Sequence, residues 1–160
     1  MKLMVEYFSK LIILMITIGF AGSVSANTDE EKEVVAFVDK AVQLLNEQGE
    51  SALATIGKTD GDFHNGSKYV FVYDDNVVML AHPVKPKLVG RSYKGKPDVK
   101  GKKFRDEIVR HALNGGGWTE YVYQKPGTTS GLFKKKVYSS LAENGGRKFI
   151  VASGTYAGSL

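Results

Sequence analysis

The hydrophobic period of this chain changes near residue 69, and a chain that changes period in this way must build both a helical layer and a sheet. Before that point, apolar residues recur at Val34, Phe37, Val38, Ala41, Val42 and Leu45, the spacing of one helix face. From Tyr69 onward the pattern is that of strands. Tyr69-Val70-Phe71-Val72-Tyr73 and Val77-Val78-Met79-Leu80-Ala81 are rich in β-branched and aromatic residues, and the turn-forming Asp74-Asp75-Asn76 divides them.

The helix has defined ends. Thr28 followed by Glu31 predicts a reciprocal capping box, and Asp29, Glu30 and Glu31 suit the positive end of the helix dipole. Gly49 is the stop, and a short second helix is expected over 50–56, closing at Gly57. After the hairpin, Pro83 and Pro86 open a long irregular segment to about residue 100, a length that is usually functional within a compact domain. A further helix is expected over 103–113, with Phe104, Ile108 and Ala112 on one side and Gly115-Gly116-Gly117 as its stop. Strands over 118–123, 134–141 and 149–155 complete the chain, the last two joined at Asn144-Gly145-Gly146. The fold class is α+β, with helices packed on an antiparallel sheet of about five strands.

The first residues read as a leader rather than as part of the fold. Lys2 and Lys10 precede an apolar run from Leu11 to Phe20, and Val24-Ser25-Ala26 fits signal peptidase. The run is shorter than the ~20 residues a membrane span needs. A signal peptide is therefore expected over 1–26 and a single domain over 27–160, in the periplasm or secreted. Retention of the leader as an anchor is the alternative. The chain has no cysteine, so disulfides, thiolate metal sites and thiol nucleophiles are excluded.

The net charge of +5 is concentrated. Lys85, Lys87, Arg91, Lys94, Lys96, Lys100, Lys102, Lys103 and Arg105 face one acid, Asp98. Such a run is either a solvated loop or a grip for an anionic surface or protein partner. Enzyme signatures are lacking: Gly127-Thr128-Thr129-Ser130-Gly131 misplaces its serine for a nucleophile elbow, and no phosphate loop or dinucleotide fingerprint occurs. His64, His82 and His111 have no metal-ligand spacing, and Asp60-Gly61-Asp62 reads first as a turn. No metal, cofactor or nucleic-acid partner is expected.

Polar-tipped aromatics and cations on apolar strands remain as candidates. Tyr69, Phe71 and Tyr73 share a strand face, His82 caps the partner strand, Trp118 and Tyr121 lie on a later strand, and Lys134, Lys135, Lys136 and Tyr138 lie on the next. Aromatic walls with a few donors suit a small ligand, and lysine, tyrosine and histidine donors suit a carboxylate. The same residues also fit a plain core with lysines on the wet face of the sheet.

The runs Tyr69-Val-Phe-Val-Tyr-Asp-Asp, Leu80-Ala-His82-Pro83-Val, Trp118-Thr-Glu-Tyr121-Val-Tyr, Lys135-Lys-Val-Tyr138 and Ser153-Gly154-Thr-Tyr156 resemble, in order, single Cache domains of the second type. That resemblance implies a PAS-like fold and extracytoplasmic recognition of small organic acids such as pyruvate, acetate or propionate. It implies a pocket lined by Tyr69, Phe71 and His82, walled by Trp118 and Tyr121, with Lys135 as counter-charge and Tyr156 in support. Typical relatives sit between membrane helices of chemoreceptors or kinases. Here the expectation is a binding module without its own transmitter domain, passing its signal to a membrane receptor or kinase partner.

Overall fold

A computed structural model describes residues 28–160. The expected signal peptide over 1–26 lies outside the described residues. Helix α1 spans Asp29–Gln48, and Thr28 Oγ1 accepts the Glu31 N–H at 3.2 Å, as the capping pattern predicts. The Glu31 carboxylate pairs with Lys136 on the sheet, which holds its pKa below the usual value. Val34, Val38, Ala41 and Leu45 form the fully buried stripe. At ~2 kcal/mol for each larger side chain, this face rather than helix propensity fixes α1 on the sheet. A 3-10 turn over Gly49–Ser51 leads into α2, Ala52–Ile56.

The sheet strands follow in pairs. Strands β1 (His64–Asn65) and β2 (Lys68–Tyr69) form a two-stranded ribbon, continued by β3 (Phe71–Tyr73) and β4 (Met79–Ala81). Strand β4 begins two residues later than the sequence pattern predicts, because Asp74 builds a turn. Its carboxylate accepts the N–H groups of Asn76 at 2.9 Å and Val78 at 2.8 Å. Val77 is held at φ 63°, a costly conformation for a β-branched residue, and its side chain is buried in the core.

The segment after β4 contains a 3-10 turn, Pro86–Leu88, and then returns to the sheet margin. Gly90 N–H donates to Met79 O at 2.8 Å and Tyr93 N–H to Val77 O at 2.9 Å. Helix α3, Phe104–Leu113, precedes β5 (Gly117–Tyr123), β6 (Phe133–Asn144) and β7 (Arg147–Ser159). Strands β6 and β7 run longer than expected because their connection is minimal. Asn144 pairs with Arg147 across Gly145 and Gly146, at φ 58° and 79°, the positive angles a two-residue hairpin turn demands.

The five-stranded antiparallel sheet has the order β4-β3-β7-β6-β5. Its registers place odd residues of β3, β5 and β6 beside even residues of β7 on one face. That face meets α3 around Tyr73, Ile108, Val137 and Ile150; the opposite face meets α1 around Val38, Leu45, Phe149 and Val151. Gly154 permits the close approach of β6 and β7, since a Cβ there would lie 2.0 Å from Lys136 O.

Candidate functional site

Strand parity assembles the candidate site on the α3 face. Lys135 is paired in register with Tyr121 on one side and Tyr156 on the other, so all three side chains share that face. Tyr69 and Phe71 enter from β2 and β3, and His82 follows β4. These elements enclose a cavity of about 10 Å³, the space of a single water. Tyr69, Phe71, His82, Tyr121 and Lys135 all line it.

Lys135 is 2% exposed and lies deep in the sheet face. Its ammonium donates to Tyr69 Oη at 2.8 Å and stands 4.2 Å from the Tyr69 ring centroid, 4.7 Å from that of Tyr156 and 5.3 Å from that of Phe71. The Tyr69 and Tyr156 hydroxyls are 3.2 Å apart, and Tyr156 donates to Gln124 O at 3.2 Å. With the last acceptor a carbonyl, the proton order runs from Lys135 through Tyr69 and Tyr156 to Gln124. Tyr156 therefore supports the cavity through Tyr69 and its own ring.

The electrostatics of the cavity are one-sided. Among the described residues no carboxylate lines it or pairs with Lys135. Burial, and then the Lys85 ammonium, push the Lys135 pKa well below its ordinary value. Burial also lowers His82 to about 3, with Lys135 and Lys85 adding to the effect. His82 Nδ1 accepts the Lys85 N–H at 3.0 Å, so the neutral ring carries its proton on Nε2 and keeps a donor there. Burial raises the pKa of Tyr69 and Tyr121 well above the ordinary value, so both remain hydrogen-bond donors.

Trp118 is not brought to this group. It lies three positions from Tyr121 on β5 and so projects from the other face, against Tyr138 at 5.3 Å between ring centroids and Lys136 at 4.9 Å. The period of two excludes Trp118 and Tyr121 from sharing one wall.

Tyr73, which shares the strand face of Tyr69 and Phe71, also lines the cavity, and four further lining residues were not among the sequence candidates: Met79, Phe104, Arg105 and Tyr123. Phe104 stacks on Tyr121 with centroids 3.9 Å apart. Arg105 is half-buried and places its guanidinium 4.7 Å from the Tyr93 ring centroid and 4.2 Å from that of Phe104. The signal for it was present, since Arg105 stands at i of the i, i+3, i+4, i+7 series completed by buried Ile108, Val109 and Ala112. Lys87, Arg91, Lys94, Lys96, Lys100 and Lys103 of the same run are exposed.

A larger cleft of about 440 Å³ lies between the start of α1 and the 98–102 turn. Its lining carries four acids, Glu30, Glu31, Asp98 and Glu120, against five lysines, Lys100, Lys102, Lys134, Lys135 and Lys136, so it shares Lys135 with the cavity but mixes both charges around it.

The sequence profile described as Single Cache domain 2 matches residues 26–157. No curated protein matches the chain. Among solved structures, the chain is similar to the "Periplasmic sensor domain of chemotaxis protein", with 29% identity, TM-score 0.68, and coverage of 79% of this chain and 94% of that one. It is also similar to a domain described under "Structural basis for carboxylic acid recognition by a Cache chemosensory domain", with 27% identity, TM-score 0.65, and coverage of 79% and 92%. A methyl-accepting chemotaxis protein from Vibrio parahaemolyticus, 17% identical with TM-score 0.63, shares the fold over 78% of this chain and 86% of its own. No helix of the described residues is long and apolar enough to cross a membrane.

Proposed function

Because the chain belongs to the single Cache domain 2 family, we propose that it is an extracytoplasmic sensing module that binds a short-chain carboxylate, such as pyruvate, acetate or propionate, beside Lys135. The observation that carries this reading is the buried ammonium enclosed by aromatic rings, with no carboxylate among the described lining residues. A buried cation without an anion is costly, and a ligand carboxylate would supply the missing charge.

Lys135 would hold the carboxylate, the neutral His82 and the tyrosine hydroxyls would orient it, and Phe71 and Tyr121 would cover its carbon chain. The lining residues offer donors and no carboxylate base, which favours binding over turnover. The free space is close to one water, so entry of an acid requires Tyr123 or the 83–103 segment to give way. The carboxylic-acid recognition named for one similar domain supports the same ligand class. A membrane receptor or kinase is the partner this reading implies, and the signal peptide expected over 1–26 would deliver the domain outside the cytoplasm.

A thermal-shift panel of small carboxylates, amines and sugars tests the proposal. At least one acid of two to four carbons raises Tm in the native protein and not in Lys135→Met. If no acid shifts Tm, the reading fails. Binding to anionic vesicles that weakens with salt and ignores Lys135→Met would favour the exposed lysines of the 87–103 run as the working surface.

A further inference from the structure

Beyond the closed cavity lies an outer cleft of about 420 Å³ that shares Phe104, Arg105 and Tyr123 with it. The two spaces thus adjoin at these three residues. Lys85 also faces the outer cleft, with its ammonium 4.6 Å from the Tyr123 ring centroid, while Lys135 stands 5.7 Å from the same centroid on the cavity side of the site. Among the described residues neither Lys85 nor Arg105 forms an ion pair. The Lys85 ammonium makes only a long 3.5 Å hydrogen bond to Gln124 Oε1.

The one acid of the cleft is already engaged. Asp98 accepts the backbone N–H groups of Lys100 at 2.9 Å, Lys102 at 2.9 Å and Val122 at 3.0 Å. The cleft lining thus carries two cations, Lys85 and Arg105, against one carboxylate whose oxygens are taken up by backbone donors, and it includes the rings of Phe104 and Tyr123.

Resting on the carboxylate reading above, we propose that Arg105 and Lys85 form a second anion subsite and that the ligand is a linear dicarboxylate spanning cavity and cleft. One carboxylate meets Lys135 and the other meets Arg105 and Lys85, with the methylene chain against Phe104 and Tyr123. A planar guanidinium takes a carboxylate with two parallel hydrogen bonds, which a monocarboxylate seated at Lys135 leaves unused.

Calorimetric titrations with succinate, glutarate and butyrate distinguish the possibilities. The native protein binds succinate or glutarate at least tenfold more tightly than butyrate. Arg105→Gln, a change that also touches the cavity lining, removes that preference when succinate and butyrate are compared on the same variant. Lys85→Met, altered outside the closed cavity, lowers the preference at least threefold and decides the matter if Arg105→Gln does not fold. Equal affinity for butyrate and the dicarboxylates, or a preference untouched by Lys85→Met, overturns the second subsite and leaves the carboxylate reading standing. Binding of none of the three, with no acid active in the thermal-shift panel, overturns both.

Discussion

A lysine can occupy the middle of a sheet face only if its ammonium is partnered or gives up its proton. Lys135 has a tyrosine hydroxyl and four aromatic rings about it, and its pKa is pushed below 10.5 by burial first. The empty folded state thus binds fewer protons than the unfolded chain, and the Lys135 contribution to stability grows as pH rises from its folded pKa toward 10.5. Below that window the buried charge destabilises the empty protein. Lys135→Met removes the charge and keeps the volume, so it raises Tm of the empty protein at pH 7 by about 4 °C, roughly 1 kcal/mol. A melt series from pH 6 to 10 checks this, since the gap between variant and native protein narrows as pH rises. A bound carboxylate reverses the preference and restores the proton. Acid binding therefore takes up a proton at pH values between the lowered pKa of the empty site and 10.5, which titrations in buffers of different ionisation enthalpy measure directly.

At the scale of elements, the site depends on strand register. Lys135 meets Tyr121 and Tyr156 only because β6 holds its alignment with both neighbours, and Gly154 keeps the β6–β7 contact close. Gly154→Ala places a methyl carbon against Lys136 O and destabilises by about 3 kcal/mol, read from urea unfolding. Alternation made Tyr69, Phe71 and Tyr73 legible as one face from the sequence, and the helix stripe did the same for α1. Alternation also separates Trp118 from Tyr121, which the family resemblance grouped together. Arg105 was hidden by composition: among nine cations in 85–105 its charge marked it as solvent-facing, while its helical phase placed it with Ile108 and Val109. Where a charged residue sits on a buried stripe, its position was the better guide.

Viewed whole, the molecule is a sheet with α1 on one face and the cavity, α3 and the 83–103 segment on the other. The hairpin, the helices and the five-stranded sheet were readable from period and punctuation. The folded course of 83–103 was not, because it is held by long-range bonds. Met79 N–H donates to Arg91 O at 3.1 Å, and Gly95 N–H donates to the Asp106 carboxylate at 2.9 Å. These bonds tie the segment over the site, so a ligand that fills the space beneath it slows exchange of the Met79, Gly90 and Tyr93 amides. Hydrogen exchange with and without the active acid checks that link between pocket and cover.

The central claim is that Lys135 supplies the charge a ligand carboxylate requires. Its direct test is the dissociation constant of the acid giving the largest thermal shift, measured by calorimetry on native protein and Lys135→Met. The account predicts a native Kd of about micromolar. It predicts at least ~100-fold weaker binding to the variant, the loss of about 3 kcal/mol expected when a buried charge pair is broken. Equal affinity in the two proteins, with the variant folded, would contradict it.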